Sequence, residues 1–311
     1  MISVISFIVI QLPPGDFMTT YITRLTAGGE IVQKEEIAAL TRQFGLDQPL
    51  FVQYYKWVTA ILTRGDFGYS FNFQRPVIVL LGERMGYSLI LAVATMLFVY
   101  IVALPIGIYS AVRQYSVLDH LVTLIGFLGL ALPSFLFALI MLYLSNKYLG
   151  ISVGGLFSPR YETAPWTLAR LGDFLSHLWV PLVVVGLSGT AALIRVMRAT
   201  MLDELGQAYV ETARAKGLDE TRLLLKYPAR LAISPFISTI GWTLPNLIGE
   251  TAIAAIVLSI PTVGPLLLTA LLSQDMYLAG SIILILSAMT VVGSFVSDLL
   301  LAWVDPRIRY D

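Results

Sequence analysis

There is no cysteine among the 311 residues, which excludes structural disulfides and thiolate-ligated metal or redox centres. Histidine is nearly as scarce. His120 and His177 stand far apart in the sequence, so a histidine-rich metal site is not expected, and both read as interfacial polar residues. Charge is thin, at 13% of residues, where soluble domains carry about 25%. Lys plus Arg and Asp plus Glu balance at 20 each, which gives no basic surface for nucleic acid and no acidic disordered tail. The chain also lacks a Gly-x-x-x-x-Gly-Lys-[Ser/Thr] loop for cradling phosphate. Neither His-Glu-x-x-His nor Gly-x-Ser-x-Gly occurs. ATP hydrolysis and other catalysis by this chain are therefore not expected, and no cofactor is implied.

What remains is apolar. Hydrophobic residues make up 57% of the sequence, and they fall in runs near the roughly 20 residues that a helix needs to cross a bilayer. The predicted fold class is all-α, a polytopic transmembrane bundle of about six spans. Five are read at about 88–112, 118–144, 178–196, 235–258 and 280–303. Pro105 and Pro133 interrupt the first two, which a spanning helix tolerates when neighbouring helices satisfy the freed carbonyls. A shortened first span at 2–12 is short by roughly a third, and a lead of roughly 10–20 residues carrying Lys or Arg is expected before it.

The organisation expected is a region 1–86, holding that first span and an extracytoplasmic part, followed by a permease core 87–311. In the first region amphipathic helices are predicted near 33–44 and 49–63, the second with apolar positions Val52, Tyr55 and Leu62. Gly65, Asp66 and Gly68 mark a turn. The loop 145–176 is flanked by Tyr148, Trp166 and Trp179, suited to an interfacial aromatic belt. Between the last two spans, Pro261, Gly264 and Pro265 break an apolar segment into a re-entrant or surface-lying element. Basic residues are about twice as dense in the turn at 112–120, the loop at 195–234 and the tail as in the opposite segments. The positive-inside rule then puts 197–234 and the C-terminus in the cytoplasm, with 13–86 and 145–176 outside.

The most charged stretch is 197–234. There Leu205, Ala208, Tyr209, Thr212 and Ala213 recur at helical spacing as one stripe with small residues. Glu204, Gln207, Glu211 and Arg214 line a polar face. Gly217 after Lys216 is a helix stop, and Asp219 is a candidate N-cap for a second helix. Along that helix Arg222, Lys226 and Arg230 share one face, which by itself suits anionic lipid head groups.

Glu211, Thr212, Ala213 and, after three residues, Gly217 resemble the EAA motif of bacterial ABC importer permeases, with Thr212 where that motif usually has Ala. The surroundings, from Tyr209 through Ala215 to Gly217, are similar to the version in the dipeptide/oligopeptide/nickel branch. Pro235 stands where that branch opens its next span, while Pro228 departs from the helix-compatible residue expected there. Further fragments follow in the order of that branch, among them Gly65 to Gly68, Leu132 to Phe135, Gly249 to Thr251 and the motif Ser259-x-Pro261-x-x-Gly264. The resemblance covers essentially the whole chain. It implies a permease that pairs with a second homologous permease and two ATP-binding ATPase subunits. It also implies an extracytoplasmic solute-binding protein for peptides, or for oligosaccharide or nickel. Tyr209, Glu211, Thr212, Ala213, Ala215 and Gly217 would form the ATPase-coupling loop.

Three acidic residues invite a pathway or packing role. Glu250 and Asp298 fall at membrane depth, where a charge costs roughly 2.5–3.5 kcal/mol and should face an interior or an interface. Hydrogen bonding that locks helix packing is the favoured reading for both, with Asp298 near enough to the cytoplasmic end to snorkel. Asp275, in the broken segment, is expected at the outer mouth, facing a binding protein or the path. Two rivals to an ATP-driven permease are weighed. An ion-coupled secondary transporter would want more intramembrane charge and symmetric broken helices, and a non-transporting scaffold would not need a coupling loop.

Overall fold

The computed structural model describes residues 48–70, 72–150, 154–250 and 252–304, with Ser3, Val4, Phe7 and Ile8. The expected span at 2–12, the helix near 33–44 and the tail from Asp305 lie largely or wholly outside these residues.

Most of the described chain is helical. Helix α1 (Leu50–Arg64) leads through a turn into a short antiparallel hairpin, β1 (Tyr69–Ser70) and β2 (Arg75–Pro76). Then come α2 (Val77–Val112), α3 (Val117–Ala131) and α4 (Ser134–Leu144), the last followed by a five-residue π-helical turn. After a loop come α5 (Leu168–Leu205) and three short helices, α6 (Ala208–Ala215), α7 (Glu220–Lys226) and α8 (Pro228–Ala232). The chain continues through α9 (Ser234–Glu250), α10 (Ala252–Val257), α11 (Val263–Leu272) and α12 (Met276–Val304).

Among the described residues, α2, α5 and α12 are each long and apolar enough to cross a membrane, and two bent helix pairs bring the spans to as many as five. The long helices exceed the runs read from sequence. At 36 and 38 residues, α2 and α5 extend for roughly 55 Å at 1.5 Å per residue, well beyond a core of about 30 Å. Their polar ends, such as Glu83 with Arg84 and Arg198 with Asp203, lie in continuous helix that the apolar runs did not mark. Pro133 does more than kink a span: α3 and the helical segment after it meet at 107°. Helix α11 has ten residues, half a crossing length, in keeping with the short element expected there.

The chain divides into two compact units, Met1–Tyr87 with Thr262–Ala288, and Ser88–Pro261 with Met289–Asp311. In the first, α1 buries Gln53 and Trp57, while Tyr55 and Leu62 are exposed. The buried face is therefore not the stripe of Val52, Tyr55 and Leu62. Trp57 is fixed by its indole N–H, which donates to the carbonyl of Phe67 at 3.2 Å.

In the second unit, α9 and α12 pass backbone to backbone. A Cβ on Gly241 would lie 2.4–2.5 Å from the main chain of Gly293 and Ser294, so only glycine fits this crossing. The Ser297 hydroxyl donates to the carbonyl of Ile237 beside it. The loop before α5 folds around Arg170, whose guanidinium sits 4.6 Å from the ring centres of both Phe157 and Trp166. Arg170 also donates to the carbonyls of Ala164 and Glu162. Trp166, expected only as an interfacial anchor, is thus part of a cation–π sandwich.

Candidate coupling segment and buried carboxylates

The stretch expected to couple forms a small self-contained hairpin. Helix α5 stops at Gly206, and α6 starts after Gln207. Glu211 lies in its first turn and Arg214 in its last, the arrangement that the helix dipole favours. Gly217 then takes φ +75°, a left-handed conformation costing other residues roughly 1–2 kcal/mol. Its N–H reaches the Arg214 carbonyl at 3.0 Å, and the Leu218 N–H reaches the Ala213 carbonyl at 3.4 Å, closing the helix end. Asp219 caps α7 by accepting from the Arg222 N–H at 3.2 Å, as its position predicts.

Val210, Ala213 and Leu223 are buried together, with Tyr209, Leu218, Leu224 and Tyr227 packed around them. The Tyr209 hydroxyl donates to the Glu204 carboxylate. Burial first, and this carboxylate second, push the Tyr209 phenol well above its usual range. Pro228 opens α8 as a separate helix, where it removes no hydrogen bond. Its Ala229 and Ala232 join Met197, Met201, Ala111 and Phe236 in a larger core. The hairpin is thereby rooted in the second unit.

This geometry corrects the stripe read from sequence. Leu205 belongs to α5, and the break at Gly206 puts it out of phase with α6. Ala213 faces inward and Tyr209 is half-buried, so both hold the hairpin together. The exposed face carries Ala208, Glu211, Thr212 and Ala215, at i, i+3, i+4 and i+7, with Gly217 at its end. Space beyond the Gly217 Cα is open. Arg222 and Lys226 lie on α7 and Arg230 on α8, all exposed but not on one continuous helix.

Asp275 is fully buried, so its side chain faces neither a binding protein nor an open path. Its carboxylate accepts from the Ser70 hydroxyl at 2.5 Å, the Asn72 N–H at 3.1 Å and the Leu278 N–H at 3.3 Å. It therefore caps α12 and clamps the β1–β2 hairpin within the first unit. Asp298 is exposed on α12, so the packing role favoured for it within this chain is not what the fold gives. Glu250 ends α9, but its side chain lies outside the described residues.

One charged cluster escaped the sequence reading. Arg198 on α5 forms two bonds of 3.1 Å to Asp119 on α3. Asp119 also accepts from the Ser110 hydroxyl at 2.5 Å and the Tyr115 N–H at 2.9 Å. Tyr115 has a φ of +65°, and this bond holds the turn between α2 and α3. The available signal was an acid placed after Ser116, a helix cap, with an arginine at a comparable depth in another span.

The fold is that of an ABC transporter membrane subunit. It is similar to a chain of the inward-facing MetNI methionine ABC transporter, with a TM-score of 0.57 and 16% identity over 73% of this chain and 97% of that one. Residues 103–310 match the family described as binding-protein-dependent transport system inner membrane component, and residues 1–92 match the N-terminal model of the same kind of membrane component. Oligopeptide transport system permease protein AppB of Bacillus subtilis is 33% identical over 99% of this chain and 94% of its own length. Dipeptide transport system permease protein DppB of Escherichia coli K12 is 28% identical over the same shares. The chain belongs to the binding-protein-dependent transport system inner membrane component family. It is a multi-pass plasma-membrane permease subunit of an ABC importer.

Proposed function

We propose that this permease carries peptides and receives the work of ATP hydrolysis through the exposed face of α6. The chemistry of transport is non-covalent. A second homologous permease completes the path, two ATPase subunits dock on the cytoplasmic side, and an extracytoplasmic binding protein delivers the peptide. Closure of the ATPase pair pushes on the α6–α7 hairpin, and the bundle responds by alternating access. The relatives' names support the substrate class.

One observation carries the coupling role. The apolar side of the hairpin is closed on itself by Val210, Ala213 and Leu223, while Ala208, Glu211, Thr212 and Ala215 stand exposed with only small or polar side chains. Such a face lets another backbone approach closely. The test is Gly217→Glu, followed by ATPase co-purification, peptide uptake in vesicles and membrane abundance. Normal abundance, weakened ATPase retention and lost uptake are expected, with Lys226→Ala near normal. Retained ATPase and normal uptake in Gly217→Glu would refute the assignment.

A further inference from the structure

A cavity of about 420 Å³ lies beside the Asp119–Arg198 pair, with His120, Thr123, Phe127 and Arg195 in its wall. We propose that it is a binding site for the headgroup of an anionic phospholipid, with acyl chains lying along α3.

Three observations point to this occupant. The first is uncompensated charge. Asp119 is engaged by Arg198, Ser110 and Tyr115, whereas Arg195 meets no carboxylate among the described residues and lies 5.2 Å over the Phe127 ring. A pocket with two guanidinium groups and one carboxylate attracts an anion, and a guanidinium suits phosphate oxygens geometrically.

The second is the surface that continues from the cavity. Leu121, Leu124, Ile125 and Leu128 of α3 are all exposed, forming an apolar track next to the charged mouth. A free phosphate or a soluble anion has no use for such a track. The third is position. Arg195 and Arg198 precede the end of α5 at Leu205 by about two to three turns, which puts the cavity at the same end of α5 as the coupling hairpin. Basic pockets between helices at that depth recognise lipid headgroups. A lipid held there would brace α3 against the helix that leads into the hairpin.

The experiment uses the assembled importer, purified in detergent, stripped of lipid and titrated with phosphatidylglycerol or phosphatidylcholine. Bound lipid is counted by native mass spectrometry. Phosphatidylglycerol is expected to bind in preference. Arg195→Gln should weaken it by about fivefold, the usual contribution of one basic residue at a membrane surface. Thr123→Trp, which fills the cavity without removing charge, should weaken it as well. Lys226→Gln removes a charge from the hairpin and should change nothing. Equal binding of the two lipids, or an undiminished preference in Arg195→Gln, would overturn the proposal. So would displacement of the lipid by inorganic phosphate alone or by a peptide, which would make the cavity a free-anion site or part of the substrate path. Failure of Gly217→Glu to uncouple transport would leave these outcomes unaffected.

Discussion

Asp275 and Glu211 are both carboxylates at the start of a helix, and the chain treats them in opposite ways. Asp275 is enclosed and accepts hydrogen bonds from the Ser70 hydroxyl and the N–H groups of Asn72 and Leu278. Glu211 is exposed on a hairpin whose apolar core faces away from it. Burying an ionised group requires that its charge be met by donors, so an enclosed acid reports on architecture. An exposed acid on a small, rigid hairpin carries no such obligation and is available to a partner. Residue type and place at a helix start do not separate the two cases. Burial and partners do.

The comparison breaks most readily at Asp275. Asp275→Ala leaves the Ser70 hydroxyl and the Asn72 N–H enclosed without this acceptor. Each bond to a charged group contributes about 1.5–3 kcal/mol, so a loss of about 3–5 kcal/mol is expected in denaturant unfolding of the detergent-solubilised protein. Asp275→Asn, which keeps an acceptor oxygen, should recover part of it. An unchanged midpoint in Asp275→Ala would mean that the clamp is not structural.

The Asp119–Arg198 pair is a second enclosed carboxylate, with its arginine partly open to the surroundings. Arg198→Gln should cost about 2–3 kcal/mol, less than Asp275→Ala because Ser110 and Tyr115 still serve the acid. A double-mutant cycle with Asp119→Asn should show coupling of about 1–2 kcal/mol. Additive effects would remove the pair from the list of structural contacts.

These clusters also mark how far the sequence could be read. The apolar runs locate α2, α5 and α12, because crossing a bilayer demands length and hydrophobicity that little else demands. The start of α2 and both ends of α5 were read short because Glu83, Arg170 and Arg198 interrupt the apolar run without interrupting the helix. Gly217 and Asp219 were legible, since a helix stop and an N-cap are local chemistry. The face of α6 was not legible: its phase is set by the break at Gly206, and a periodic stripe drawn through that break joins two different helices. Asp275 and Asp119 were misread or missed for a plainer reason. Their partners, Ser70 and Arg198, lie 205 and 79 residues away in sequence, and composition carries no record of such pairings.

The smallest effect belongs to the charged pair that brackets the Gly217 turn. Arg214 donates to both oxygens of Glu220, at 3.2 and 2.7 Å, and both side chains are about half exposed. Water and salt compete for such a pair, so it adds little to stability, and Arg214→Gln should unfold at the same denaturant concentration as the native chain. The pair can still hold the turn in register for docking. The bond to Arg214 holds the Glu220 carboxyl below its ordinary range. A depressed folded-state pKa gives a contribution that is present above the ordinary carboxylate range and lost as the pH falls through the lowered value. ATPase retention by the native complex should therefore be flat from pH 7.5 to about pH 5, as far as this pair is concerned. Arg214→Gln should lower retention slightly at every pH in that window, without adding a slope. A transition near pH 6 that vanished in Arg214→Gln would show that the pair titrates where a bonded carboxylate should not. It would also show that Glu220 is poised more like a buried acid than an exposed one.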